Sequence, residues 1–259
     1  MVQNNRVAIV TGASRSKGIG TAICHALAAD GIDVFFTHFR SYDSSVEGNG
    51  EEPEWPELLA KQLRAYGVRA EQMSLDLSFE DASVDLLDEV EKRLGTASIL
   101  VHNATYQSET NFRTLDGSVL DHYYQVNNRG PILLSTAFAK RFEKAFPSGG
   151  DGRILFLVSG GPDPNNLAYI ATKGAVKALT YPLAVGLASL GITVNSVDPG
   201  PTDSGWINND LRDQLLPLFP KGRIGKPEDA AKLIRFLSSS EADWITGQTI
   251  HSDGGFLGK

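Results

Sequence analysis

Cysteine is nearly absent from this sequence, with Cys24 the one example among 259 residues. A single thiol excludes an intramolecular disulfide and leaves no second thiolate for a metal site. We expect Cys24 to pack in the core, as free cysteines commonly do. The five histidines have no metal-ligand spacing. The sequence therefore predicts no bound metal.

Long apolar runs are also absent. No stretch approaches the roughly 18 apolar residues of a membrane span, and the N-terminal MVQNNR lacks the apolar core of a secretion signal. We therefore expect a cytoplasmic protein with no membrane partner. The formal net charge is −7 and the basic residues are scattered, which argues against a nucleic-acid groove and favours a small-molecule ligand.

Apolar material is plentiful, at 41% of the residues, and predicts one domain spanning residues 1–259. Short apolar runs rich in β-branched residues alternate with segments of helical spacing. Near-continuous apolar strands are typical of a parallel sheet covered by helices on both faces. The sequence thus predicts a doubly wound α/β sheet of about seven strands. The candidate strands are 6–10, 33–37, 72–76, 98–103, 153–159, 192–198 and 248–252.

One polar stretch departs from this alternation. Residues 41–56 read SYDSSVEGNGEEPEWP, which predicts a surface loop before a helix over residues 57–66. The loop is either an insertion or a lid, and its composition favours an insertion.

The glycine-rich stretch TGASRSKGIG, residues 11–20, follows the first apolar run. In a strand–turn–helix unit, glycines let backbone amides approach a pyrophosphate at the positive N-terminus of the helix. Five residues separate Gly12 from Gly18, and one separates Gly18 from Gly20, unlike the common G-x-G-x-x-G fingerprint. We interpret the stretch as a phosphate site, the alternative being a turn that needs glycine only for its geometry.

The end of the second strand bears on the choice of nucleotide. NAD-selective enzymes usually place there a carboxylate that binds the ribose 2′-hydroxyl. This sequence has His38 and Arg40 instead, and Asp33 comes too early, at the strand's beginning. Arg15 and Lys17 add positive charge in the glycine turn, and guanidinium groups pair well with phosphate. These residues favour NADP(H) over NAD(H), the alternative being that they are ordinary surface charges.

A second pattern follows the strand 153–159. Tyr169 and Lys173 are four residues apart, so a helix brings both to one face, and Ser159 ends the preceding strand. A free tyrosine has a pKa of about 10. A lysine ammonium about 5 Å away would bring the pKa of Tyr169 close to about 8. The pair is therefore a candidate for proton transfer near neutral pH.

Together these motifs resemble those of the short-chain dehydrogenases/reductases, most nearly the ketoacyl-carrier-protein reductase branch. The resemblance covers nearly the whole chain and implies a Rossmann-type fold. Three departures stand out: the glycine turn is two residues longer, Thr105 replaces a glycine, and only nine residues separate Ser159 from Tyr169. The other segments that resemble family motifs are LDL at 75–77, HNAT at 102–105, AYIATKGAV at 168–176 and DPGPTDSGW at 198–206.

The resemblance implies catalytic roles for four residues. Tyr169 is the acid or base, Lys173 activates it, Ser159 binds the substrate oxygen, and Asn127 positions a water that connects Lys173 to solvent. The implied enzyme is an NADPH-dependent carbonyl reductase that converts a ketone or 3-oxoacyl compound to a secondary alcohol by hydride transfer. The alternatives are an NAD-dependent alcohol dehydrogenase and a non-catalytic NADP(H)-binding sensor or scaffold.

The resemblance also implies a cofactor site, a substrate cover and a quaternary structure. Residues 203–220 are expected to cover the substrate, and the elements beside the last strand to form a subunit interface. A homotetramer is implied, with a dimer as the alternative. The implied cofactor-binding residues are Gly12, Ser14, Arg15, Lys17, Gly18, Ile19, Gly20, His38, Arg40, Asp76, Leu77, Asn103, Ala104, Tyr169, Lys173, Pro199, Gly200, Thr202 and Ser204.

Overall fold

A computed structural model of the chain describes residues 6–39 and 52–258. These residues contain a seven-stranded sheet in the order β3-β2-β1-β4-β5-β6-β7, with every neighbouring pair parallel. The strands are β1 (Val7–Val10), β2 (Asp33–His38), β3 (Ala70–Ser74), β4 (Ile99–His102), β5 (Gly152–Leu157), β6 (Ile192–Asp198) and β7 (Thr249–His251). The predicted doubly wound sheet is confirmed, and each strand lies within two residues of its predicted position.

Helices cover both faces of this sheet. One face carries α1 (Ile19–Ala29), α2 (Trp55–Arg64) and α8 (Pro227–Ser238). The other carries α3 (Ala82–Arg93), α5 (Gly130–Ala145) and α6 (Leu167–Leu187). The shorter helices are α4 (Gly117–Tyr124) and α7 (Asn209–Leu215), and a π-helical turn (Gln125–Arg129) joins α4 to α5. None of the helices in the described part of the chain is long and apolar enough to cross a membrane.

Two apolar clusters, one on each face, account for the continuous apolar strands. In β1, Ala8 and Val10 pack in one cluster while Val7 and Ile9 pack in the other. Successive side chains of a strand point to opposite faces, so both sets must be apolar in a sheet that is covered twice. Cys24 is fully buried in the first cluster, as expected.

The predicted loop 41–56 is shorter than expected at its C-terminal end. The helix after it begins at Trp55 rather than at residue 57, because Pro56 is well suited to a helix's first turn. Residues 41–51 lie outside the described residues, so only residues 52–54 of the loop precede α2 here. The distinction between an insertion and a lid therefore stays a prediction.

The sheet order places a crevice beside β1. Its neighbours β2 and β4 lead to opposite halves of the sheet, so the connections after β1 and β4 diverge at the carboxyl edge. In open α/β sheets, ligands bind at such a switch point. The glycine turn follows β1 at this edge, and the HNAT segment ends β4 there.

Candidate active site

An open cleft of about 1940 Å³ runs along the carboxyl edge of the sheet. Lys17, Gly20 and Asn127 are not among its lining residues, and Arg40 lies outside the described residues. The structure brings the remaining predicted site residues together on its walls. These are Gly12, Ser14, Arg15, Gly18, Ile19, His38, Asp76, Leu77, Asn103, Ala104, Ser159, Tyr169, Lys173, Pro199, Gly200, Thr202 and Ser204.

The glycine turn brings backbone groups unusually close together. Gly12 has a φ of +77°, and a Cβ there would lie 2.7 Å from Cα of Ala104. A Cβ on Gly20 would lie 2.5 Å from the carbonyl oxygen of Gly12. Glycine is therefore required at both positions, and the turn forms a cradle before the N-terminus of α1. This cradle fits the pyrophosphate of a dinucleotide.

Asn103 and Thr11 hold the cradle in place. The Asn103 side chain donates to the carbonyl oxygens of Thr11 and Gly12, at 3.0 and 2.7 Å. The Thr11 hydroxyl accepts from the backbone nitrogens of Asn103 and Ala104, both at 3.1 Å. Asn103, predicted as a cofactor contact, thus also shapes the turn that would receive the cofactor.

The end of β2 closes one side of the cradle. The backbone nitrogen of Ala13 donates to the Thr37 carbonyl oxygen at 2.8 Å, and the nitrogen of Phe39 donates to the Ser14 hydroxyl at 3.2 Å. His38 is buried, with Nε2 hydrogen-bonded to Oε1 of Gln72 at 2.7 Å. Ser14, Arg15 and His38 therefore line the cleft beside the end of β2, and their predicted contact with a cofactor stays a prediction.

Asp33 occupies the opposite end of β2. Its buried carboxylate accepts from the backbone nitrogen and Nε of Arg69, at 2.7 and 2.8 Å. At the cleft end, within the described residues, β2 ends in His38 and Phe39, and neither is acidic. The Asp33 carboxylate therefore holds Arg69, in the loop before β3, and does not lie at the cleft.

Tyr169 and Lys173 lie in the first turns of α6 beside the end of β5. Lys173 is 5% exposed, its Nζ donates to the Leu157 carbonyl oxygen at 2.9 Å, and Nζ lies 5.7 Å from the centre of the Tyr169 ring. Burial lowers the pKa of Lys173 to about 8, and the nearby charge of Asp198 acts in the opposite direction. Lys173 is therefore mostly cationic at neutral pH, yet close to losing its proton.

Asn127 has a different environment from the one its predicted role suggests. It lies in the π-helical turn and is 3% exposed. Its Oδ1 accepts from the backbone nitrogen of Tyr106 at 2.7 Å, and its Nδ2 donates to the Tyr106 carbonyl oxygen and to the Thr172 hydroxyl, at 3.0 and 3.2 Å. The side chain thus ties the segment after β4 to α6, next to Lys173. Its predicted link to a water stays a prediction, and π-helical turns are frequent at functional sites.

His102 is a buried neighbour of the site to which the sequence analysis assigned no role. Its Nε2 is 2.8 Å from the Ser135 hydroxyl, and its ring stacks on Phe156. Burial and the charge of Lys173 lower the pKa of His102 to about 3. The His102 imidazole is therefore neutral at neutral pH, and of the two buried groups only Lys173 is charged. Nothing in the sequence pattern signals this pairing, because it depends on α5 packing beneath β4.

The short segment between Ser159 and α6 is fastened to the loop after β4. The backbone nitrogen of Thr110 donates to the Asn165 carbonyl oxygen at 2.7 Å, and that of Leu167 donates to the Thr110 carbonyl oxygen at 3.0 Å. These contacts hold residues 160–166 against the loop after β4 on one side of the cleft. The nine-residue spacing was the only sequence signal of this arrangement.

The expected substrate cover faces that side. Trp206 and Leu215 line the cleft, and Trp206 is anchored by Nε1 donating to the Thr202 carbonyl oxygen at 2.8 Å. Phe219 is instead buried against Phe256, and Leu216 is 40% exposed. Trp206 and Leu215 therefore line the cleft, whereas Leu216 and Phe219 do not. Leu211, Leu218 and Phe256 also line it.

Comparisons with known proteins agree with this geometry. A family model described as enoyl-(acyl carrier protein) reductase matches residues 12–257. An uncharacterized oxidoreductase of Bacillus subtilis is 47% identical over 255 residues, or 97% of each chain. A short-chain dehydrogenase/reductase from Serratia marcescens superimposes with a TM-score of 0.84 at 29% identity, over 97% of this chain and 98% of that one. The chain belongs to the short-chain dehydrogenase/reductase family.

Other members of this dehydrogenase/reductase family resemble the chain over a similar extent. A 3-oxoacyl-[acyl-carrier-protein] reductase of Staphylococcus epidermidis is 32% identical, over 97% of this chain and 98% of that protein. Acetoin dehydrogenase from Salmonella typhimurium has a TM-score of 0.82 at 30% identity, over 98% of both chains. A metagenomic blue fluorescent protein in complex with NADPH has a TM-score of 0.82 at 28% identity, over 98% of this chain and 99% of that one. The family makes this protein an oxidoreductase that uses a nicotinamide cofactor.

Proposed function

We propose that this protein is an NADP(H)-dependent carbonyl reductase with Tyr169 as its general acid. The observation that carries the proposal is the buried Lys173, whose Nζ lies 5.7 Å from the Tyr169 ring at the cleft that the glycine cradle also lines. A buried lysine beneath a tyrosine in such a cleft is a candidate functional pair.

The residues of the cleft fit a dinucleotide laid along the edge of the sheet. The glycine cradle would hold the pyrophosphate, Ser14 and Arg15 the adenosine ribose, and Lys173 the nicotinamide ribose. Pro199, Gly200, Thr202 and Ser204 would receive the nicotinamide amide. A nicotinamide dinucleotide bound there supplies the hydride, and the chain supplies binding, orientation and protons.

The proton steps belong to the chain. Tyr169 holds, at its hydroxyl, the proton that a carbonyl oxygen takes up on reduction. The ammonium of Lys173 stabilises the phenolate that remains by about 3 kcal/mol at an effective dielectric near 20. Ser159 follows β5 at the same edge and would donate a hydrogen bond that holds the substrate oxygen against Tyr169.

Support for NADP(H) comes from the end of the cleft near β2. Neither described residue there is acidic, and Arg15 lines the cleft beside Ser14. A guanidinium pairs well with a dianionic phosphate. The related blue fluorescent protein is a complex with NADPH, and the substrate is proposed to be a small ketone or 3-oxoacyl compound.

An NAD-dependent alcohol dehydrogenase is the second candidate. It is favoured by the carboxylate of Glu52, which sits on the glycine turn within hydrogen-bond distance of Ser16. A negative charge there opposes a 2′-phosphate. The likeness to an acetoin dehydrogenase also suits a secondary alcohol as substrate.

Cofactor affinity and turnover test the proposal together. NADPH and NADH are titrated separately into the protein while tryptophan emission is followed, and turnover is then measured with a panel of ketones, diketones and 3-oxoacyl thioesters. We expect NADPH to bind at least about tenfold more tightly, which is about 1.4 kcal/mol. Equal or tighter binding of NADH would favour the alcohol dehydrogenase.

The variant Tyr169→Phe separates an enzyme from a binding protein. It removes the proton donor and keeps the ring, so turnover should fall by about two to four orders of magnitude while the Kd for NADPH changes less than about twofold. If the variant is as active as the parent, the role of Tyr169 is wrong. If neither protein oxidises NADPH with any carbonyl, the scaffold alternative holds.

A further inference from the structure

The carboxylate of Glu52 is hydrogen-bonded to Ser16 in the glycine turn. Oε2 of Glu52 accepts from the backbone nitrogen of Ser16 at 3.0 Å, and Oε1 accepts from the Ser16 hydroxyl at 2.8 Å. Ser16 lies in the glycine turn between Gly12 and Gly18. One carboxylate therefore satisfies both donors of this residue, and its negative charge lies on the turn.

Trp55, three residues after Glu52, also links this segment to the glycine turn, through Thr21 and the Arg15 carbonyl oxygen. Nε1 of Trp55 donates to the Thr21 hydroxyl at 3.1 Å, and that hydroxyl donates to the Arg15 carbonyl oxygen at 2.7 Å. Trp55 also packs against the apolar cluster beneath α1. The Glu52 carboxylate is thus held directly to Ser16, and the segment after it is held to α1 through Trp55 and Thr21.

This charge lies near the end of the cleft that would take the adenosine ribose. Ser14 and Arg15 line the cleft, and Ser16 follows them directly. The Ser16 nitrogen belongs to the peptide bond that joins Arg15 to Ser16, so the Glu52 carboxylate lies on the same turn as Arg15. Its charge acts through space on an anion bound there, and salt weakens this effect. Such an anion is attracted by Arg15 and repelled by Glu52.

We propose that Glu52 is a specificity-determining residue of the cofactor site. Its carboxylate weakens the binding of nucleotides that carry a 2′-phosphate more than it weakens the binding of nucleotides with a 2′-hydroxyl. The preference of the protein for NADP or NAD then depends on how strongly Arg15 attracts a 2′-phosphate and how strongly Glu52 repels it. The inference rests on the proposed function in one respect, namely that the adenosine ribose lies at this end of the cleft.

The test uses Glu52→Gln in the full chain and two probes that lack the nicotinamide. Glutamine has nearly the same shape, and its amide can accept from the Ser16 nitrogen and donate to the Ser16 hydroxyl, so only the charge changes. Calorimetry should give a Kd for adenosine 2′,5′-bisphosphate about five- to tenfold lower than in the parent. The Kd for adenosine 5′-monophosphate should fall clearly less, because this probe has one phosphate fewer for the Glu52 carboxylate to repel.

Glu54→Gln is the matched control. Glu54 is two residues away and exposed, so its replacement removes the same charge at a greater distance from Ser16 and should leave both Kd values nearly unchanged. The gain from Glu52→Gln should also shrink as salt is raised from about 0.05 to 0.5 M, because screening weakens the repulsion.

Several results would overturn the inference. These are an equal shift for both probes, weaker binding of the bisphosphate, no shift at all, or a gain that salt does not change. If the parent prefers NADH while Glu52→Gln still gains selectively for the bisphosphate, the proposed NADP preference fails and the role of Glu52 stands. If the parent prefers NADPH and the variant gains nothing, only the role of Glu52 fails. If neither probe binds either protein, both fail.

Discussion

Lys173 has an environment unlike that of an ordinary surface lysine. Its ammonium is buried against the end of β5, and its pKa is lowered from 10.5 to about 8. The positive charge that supports the Tyr169 phenolate is therefore present below pH 8 and lost as the pH rises through that value. Activity and stability should respond to this titration in opposite directions.

We expect kcat/KM for carbonyl reduction to be level below pH 8 and to fall above it, by up to about tenfold per pH unit. In the unfolded chain the lysine keeps its proton to about pH 10.4. Between pH 8 and that value the unfolded state binds more protons than the folded state, so this group makes stability rise with pH. Rates and urea unfolding, both measured from pH 6 to 10, check the two trends.

The variant Lys173→Arg is the control for this titration, because a guanidinium keeps its charge throughout the range. Its rate should be lower than the parent's, and its stability should no longer rise between pH 8 and 10, because the arginine releases no proton in that range. A parent profile that is level to pH 10, or a fall in rate that follows unfolding, would show that Lys173 does not set the pH dependence.

At the scale of elements, the glycine turn depends on its contact with the segment after β4. Gly12 and Gly31 have nearly the same φ, +77° and +76°, but a Cβ on Gly12 would collide with the backbone of Ala104, whereas one on Gly31 would meet nothing within 4 Å. The two positions therefore separate the cost of the backbone conformation from the cost of the close approach.

Gly31→Ala should lower the free energy of unfolding by about 1 kcal/mol, the usual cost of a left-handed alanine. Gly12→Ala should lower it by about 2–4 kcal/mol, because Ala104 is held by backbone hydrogen bonds and the turn itself must move. The Kd for NADPH should rise at least about tenfold in Gly12→Ala alone. Urea unfolding and tryptophan-emission titration measure both quantities, and equal effects of the two variants would contradict the argument.

The elements themselves could be predicted because their signals are local. The apolar strands alternate with helical spacing, Gly31 with its positive φ follows α1, and Pro227 begins α8. The glycine turn, Tyr169 and Lys173 were found in the same way, since each lies in a short motif. Their presence around one cleft follows from the parallel order of the strands.

The features that the sequence analysis missed depend on contacts between distant segments. The Asn127 side chain bonds to Tyr106 and Thr172, which are 21 and 45 residues away. Glu52 meets Ser16 across 36 residues. No period or motif encodes such pairings, because they depend on how two loops meet after the sheet has formed. The choice between NADP and NAD stays a prediction, and we propose that the contact of Glu52 with Ser16 is one of its determinants.

At the scale of the whole molecule, the sheet ends in two unlike edges. Beside the short outer strand β7, Trp244 is 99% exposed and Tyr181 is 65% exposed. At the opposite edge, α2 packs beside β3 and has Leu58 at 46% exposure. Exposed aromatic side chains beside an outer strand are typical of a surface that is covered in an assembly. This is the region that the family resemblance assigns to a subunit interface.

We therefore predict a homotetramer, with a dimer as the alternative, in which Trp244 is buried between chains. Light scattering coupled to size-exclusion chromatography should give about four times the chain mass of 27.9 kDa. Trp244→Arg would place an unpaired charge in that interface and should reduce the mass to two chains or one. Leu58→Arg, at the far edge of the sheet, should leave it unchanged. A parent that elutes as one chain would refute the assembly, and a tetrameric Trp244→Arg would place the interface elsewhere on the molecule.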